Sequence, residues 1–153
     1  MTRTVSLAVL LTALLLPVVG QSAEVLARAP SPSLGPRGVV AAQLDCLKGA
    51  TDDDLARAFL FSSPVGQAVI GPLPRFRFVM RRGYPELLGH RGAIYGDTVI
   101  NGDEAAQAVE VIARNGQVYR YVFRLSLQHE GEYSGCWLTD SLVSAPAPAA
   151  QEI

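Results

Sequence analysis

The sequence predicts a single α+β domain with its helices first and its sheet second. Three observations lead there: an apolar repeat of helical period in the first half, a switch to strict alternation after Arg91, and two Asn-Gly pairs that punctuate the alternating part. Together they predict three N-terminal helices packed on a curved antiparallel sheet of about four strands.

Val40, Leu44 and Leu47 recur at i, i+4 and i+7, which gives the first helix one apolar stripe, and Gly49 suits its left-handed end. Thr51 followed by Asp52, Asp53 and Asp54 opens a second helix, because a hydroxyl and carboxylates suit the free amides and positive dipole of a first turn. Consecutive helical residues point about 100° apart, so these three acids cannot converge on one ion and no metal site is predicted from them. The second helix turns Leu55, Ala58 and Phe59 inward, and Ser62-Ser63-Pro64 ends it and opens a short turn. After the break Gly71-Pro72-Leu73-Pro74, a third helix runs from Pro74 to Arg82 with Phe76, Val79 and Met80 on its apolar side.

Beyond Arg91 the strands follow in order. Residues 93–100 and 105–113 flank the turn Asn101-Gly102, and Asn115-Gly116 leads into residues 117–128. There Tyr119, Tyr121, Phe123, Leu125 and Leu127 fall on one face, with Arg120, Arg124, Ser126 and Gln128 on the other, as a half-buried strand requires. A turn at residues 129–132 leads to a last strand over residues 133–143.

The ends of the chain carry different signals. Arg3 precedes an apolar run from Val5 to Val19, and small residues follow at Gly20 and Ser22, the pattern of a signal peptide over residues 1–22 cut between Gly20 and Glu24. The run is shorter than the roughly 20 residues of a bilayer span, so no stable membrane insertion is expected. Residues 23–37 read as a flexible linker, 38–144 as the domain, and 145–153 as a disordered Ala/Pro tail. An exported protein, periplasmic or secreted, is the expectation. A formal net charge of −1 argues against nucleic acid as a partner.

Asp53-Asp54, Ala58-Phe59-x-Phe61-x-Ser63-Pro64, Phe78-Val79-Met80-x-x-Gly83-Tyr84-Pro85 and Gly135-Cys136 resemble the short exported bacterial proteins of domain of unknown function family 4864. The likeness runs from the first helix to the last strand and departs from the usual pattern at Gly89-His90. The resemblance implies the cystatin-like cone of the nuclear transport factor 2 superfamily, and it brings no assigned activity.

A cone of that kind encloses a pocket between helices and sheet, the place to look for a ligand. Phe59, Tyr84, Tyr121, Phe123 and Trp137 are candidates to line it, or else simply fill the core. An acid–base enzyme in the same pocket would pair Asp97 or Asp140 with Tyr84 or Tyr95. Arg75, Arg77, Arg81 and Arg82 crowd one segment of a slightly acidic chain, a candidate patch for an anion or a protein partner. His90 and His129 read as solvated loop residues without a metal pattern, and no metal or cofactor is expected. Cys46 and Cys136 are the two cysteines: a bridge would be worth on the order of 4 kcal/mol in an oxidising compartment, and two buried free thiols are the other reading. The functional expectation is an exported non-enzymatic domain that binds a small ligand or a protein partner. The alternative is a small acid–base enzyme of isomerase or hydratase type.

Overall fold

The structure, a computed structural model, describes residues 29–145. The signal peptide expected over residues 1–22, the start of the linker and nearly all of the tail lie outside the described residues. Among those described, no helix is long and apolar enough to cross a membrane.

Four helices come first: α1 (Pro36–Gly49), α2 (Asp52–Phe59), α3 (Pro64–Ile70) and α4 (Leu73–Gly83), with a 3₁₀ turn over Pro85–Leu87. Four strands follow, β1 (Gly92–Asn101), β2 (Glu104–Ile112), β3 (Val118–Leu127) and β4 (Trp137–Ser144). They form one antiparallel meander in the order β1-β2-β3-β4. The predicted α+β class and the helix-then-sheet order both hold.

Three local expectations change. The stretch after Pro64 is a seven-residue helix rather than a turn, since Pro64 sits in its first turn and the Ser63 hydroxyl accepts from the Gly66 amide at 3.0 Å. The end of the expected linker belongs to the domain: α1 begins at Pro36, and Leu34 packs against the core behind a turn closed by its amide on Ser31 O. The last strand starts at Trp137, because Gly131 and Gly135 take left-handed φ angles of 81° and 82° and hold the chain in turns up to Cys136.

The core forms where the α1 stripe meets the inner face of the sheet. Val39, Val40, Leu44 and Leu47 pack toward Ala105, Val109 and Val111 of β2 and Tyr121, Phe123 and Leu125 of β3. Each large aliphatic chain so buried contributes roughly 1.5–3 kcal/mol. Two irregularities bend the sheet. One lies in β1 between Tyr95 and Thr98, where fully buried Gln107 donates to Gly96 O at 2.9 Å; the other leaves Asp140 as an extra residue in β4.

Thr51 and Asp54 start α2 with a reciprocal capping box, each backbone amide donating to the other's side chain at 3.1 Å. The Thr51 hydroxyl, which also donates to Asp54 Oδ2 at 2.6 Å, and then the Thr51 amide and the neighbouring Arg57 hold the Asp54 carboxyl below its ordinary range.

Candidate functional site

A cavity of about 340 Å³ lies between the helical layer and the β3–β4 end of the sheet. Its helical wall is the apolar stripe of α4, Phe76, Val79 and Met80, with Ile70 from the end of α3. Phe123 of β3 and Leu142 of β4 face them across the space. The α4 stripe was legible in the sequence; α3, which touches both β4 and α4 beside it, was not.

The floor is polar and internally satisfied. Thr139 Oγ1 donates to Gln43 Oε1 at 2.8 Å, and Gln43 Nε2 donates to Ala58 O at 3.2 Å, so the two buried groups use each other rather than stand orphaned. Sequence reasoning missed Gln43. It lies three residues after Val40 and four before Leu47, on the buried stripe itself, and that position was the signal available.

One wall hangs on the last strand. The chain at residues 61–63 lies along the free edge of β4 in parallel, with Thr139 N donating to Phe61 O and Ser63 N to Thr139 O, both at 2.8 Å. The hydroxyls of Ser63 and Ser126 both donate to Asp140 Oδ1. Gly66 then brings α3 so close that a Cβ there would meet Thr139 O at 2.8 Å and Asp140 O at 2.9 Å. The Phe61-x-Ser63-Pro64 motif is therefore a joint between helix and sheet, and Asp140 is its acceptor.

Of the five aromatic candidates, Tyr84 and Phe123 line the cavity. The half-buried Tyr84 ring closes one end, its hydroxyl donating to Leu142 O over a long 3.5 Å. Phe59 packs on the Phe76 ring with centroids 5.1 Å apart, and Trp137 leans on the core. Tyr121 meets Tyr84 edge-on at 6.2 Å and turns its hydroxyl away, onto the Glu86 carboxylate. Burial, and then that carboxylate, push the Tyr121 phenol well above its usual value.

The carboxylate–tyrosine pairs separate in the same way. Asp140 and Tyr84 share the cavity wall, whereas Asp97 and Tyr95 lie on β1 at the opposite edge of the sheet. Tyr95 stands there under the Arg37 guanidinium, 5.2 Å from its ring centroid.

The arginine cluster is not one free patch. Arg81 donates to Asp52 Oδ1 at 2.6 Å, Arg77 donates to Asp52 O at 3.0 Å, and Arg82 lies over the Phe78 ring at 5.7 Å. The two contacts to Asp52 fasten α4 to the start of α2, and Arg81 holds the Asp52 carboxyl below its ordinary range. Arg75 differs: it sits on the cavity wall, folded over Gly71, and among the described residues it has no ion-pair or hydrogen-bond partner.

Neither histidine belongs to the site, and one is not solvated as expected. His90 is 4% exposed, its Nε2 2.8 Å from Leu44 O and its Nδ1 3.2 Å from Gly92 O, so it pins β1 to α1. His129 is exposed beside Asp103. Cys46 and Cys136 are both free thiols, and burial raises both above the ordinary thiol value. Cys46 lies on α1 beside Arg57, while Cys136 ends the loop before β4. No three His, Cys, Asp or Glu side chains gather to hold a metal ion among the described residues.

Comparison with curated proteins found no match, and comparison with solved structures found none either. A family model does match, over residues 34–146, which takes in every helix and strand that builds the cavity. The chain belongs to the family described as Domain of unknown function (DUF4864).

Proposed function

We propose that this protein is an exported, non-enzymatic binding domain that takes a small, largely apolar ligand into the cavity between α4 and the β3–β4 sheet. The observation that carries the reading is the cavity itself: about 340 Å³ walled mainly by aliphatic and aromatic side chains over a satisfied Gln43–Thr139 floor. That size falls in the usual range of ligand sites, roughly 300–1,000 Å³, and a domain interior is otherwise close-packed. The acid–base alternative would need a carboxyl free to exchange protons with a substrate. Asp140, the carboxylate on this wall, has Oδ1 committed to two hydroxyl donors, Ser63 at the start of α3 and Ser126 of β3. Export rests on the charged, apolar and small-residue segments of residues 1–22, and periplasmic or secreted location follows from it.

Titrating the purified protein with the neutral dye N-phenylnaphthylamine tests the binding reading. Dye fluorescence should rise with saturation, and Val79→Phe, which fills the space from α4, should reduce that signal at least tenfold without a matching loss of stability. Dye binding that ignores Val79→Phe would count against the cavity. N-terminal sequencing of protein recovered from the native host should find a start between Gln21 and Glu24; an intact Met1 would count against export.

A further inference from the structure

We infer that the ligand of this cavity is an amphipathic monocarboxylate whose alkyl chain lies along α4 and whose carboxylate meets Arg75. The inference rests on the binding reading above and adds the chemical class of the ligand.

Four arginines lie on α4, and three have structural employment: Arg77 and Arg81 hold Asp52, and Arg82 covers Phe78. Elsewhere Arg57 pairs with Asp54, and Arg120 with Glu110 at 2.6 Å. Arg75 is the α4 arginine on the cavity wall, and it is the one without a partner among the described residues. A guanidinium presents a planar fork of donors that fits a carboxylate in two parallel bonds.

The mouth beside it is apolar. Val69 lines the cavity yet is 81% exposed, and Ile70 continues that surface inward toward Val79 and Met80. A charged donor at the rim of an apolar slot calls for a molecule with an anionic head and an apolar body. The opposite polarity is served less well. Asp140, the acid on the wall, already accepts from Ser63 and Ser126, so an ammonium head would have to compete with two short internal bonds.

Octanoate, octanol and octylammonium, compared in displacement of N-phenylnaphthylamine from the full mature chain, separate the outcomes. Octanoate should bind about tenfold more tightly than octanol, the worth of one charge-assisted contact at a partly exposed site. The advantage should vanish in Arg75→Gln, persist in part in Arg75→Lys, and shrink as salt is raised. Arg75 is exposed and unpaired among the described residues, so neither substitution removes an ion pair or side-chain hydrogen bond. Equal binding of octanoate and octanol, or tighter binding of octylammonium, would overturn the carboxylate assignment while leaving the apolar cavity intact. Failure of all three, together with no dye binding, would overturn both.

Discussion

Replacing Gly66 by alanine sets two physical effects of opposite sign against each other. Gly66 lies inside α3, where glycine costs about 1 kcal/mol relative to alanine, so helix propensity alone predicts stabilisation. Packing predicts the reverse. The added Cβ would stand 2.8 Å from Thr139 O and 2.9 Å from Asp140 O, both backbone atoms of a paired strand that cannot swing aside as a side-chain tip can. Overpacking of that kind costs about 1–3 kcal/mol, and prying α3 from β4 also stretches the Ser63–Asp140 joint. The net expectation is a loss of about 1–2 kcal/mol. Gly83, at the end of α4, is the control, because nothing lies within 4 Å of its Cβ position. Gly83→Ala should leave stability unchanged or slightly raised. Equilibrium urea unfolding of both variants beside the parent decides the matter. A Gly66→Ala protein as stable as the parent would refute the close α3–β4 contact, and with it the geometry of the cavity wall.

Other expectations follow from the titrating groups and the cysteines. Asp54 ionises more readily folded than unfolded, so its contribution is complete above about pH 4 and drains away as pH falls through the folded value. Asp54→Asn should therefore be less stable at neutral pH and show a flatter acid limb in unfolding measured from pH 6 to pH 2; parallel acid limbs would refute the capping box as the cause. Tyr121 has the opposite sense: the unfolded phenol ionises near pH 10 while the folded one resists, so its contribution is full below that pH and is lost as pH climbs above it. Tyr121→Phe should cost about 1 kcal/mol at neutral pH and lose less stability than the parent between pH 10 and pH 11. Thiol labelling at neutral pH should modify Cys46 and Cys136 slowly in the native protein and quickly after unfolding in denaturant without reductant, since burial disfavours both thiolates. A linked peptide pair in nonreducing mapping would refute the free-thiol arrangement.

Much of this architecture is local and therefore legible in the chain. Period and punctuation mark α1, α2 and α4, and Asn-Gly marks two hairpin turns, because a stripe or a positive φ leaves its trace within a few residues. The site is legible only in part. Phe76, Val79 and Met80 read as an apolar face, but whether that face closes against the sheet depends on α3, whose seven residues carry too little periodicity to announce a helix. Asp140 was harder still, since a bulge breaks the alternation that says which way a strand residue points. His90 looked like a loop residue because its partners, Leu44 O and Gly92 O, are carbonyls that any sequence supplies. Arg75 could not be told from Arg77 and Arg81 until Asp52 was seen to engage those two.

The joint between residues 61–63 and β4 also sets an order in time. Ser63 and Asp140 are 77 positions apart, and Gln43 and Thr139 are 96 apart, so the helical half must wait for nearly the whole chain before the cavity has a floor or an outer wall. Contacts of such separation are slow to form, because the loop between them must close before any of them is rewarded. α1 and α2 are neighbours in the chain and pack on each other, but α3 has no strand to lie against until β4 is present. Ligand capture is thereby tied to completion of the polypeptide: a chain cut short before Thr139 would keep its helices and lack a binding site, whatever the integrity of α4.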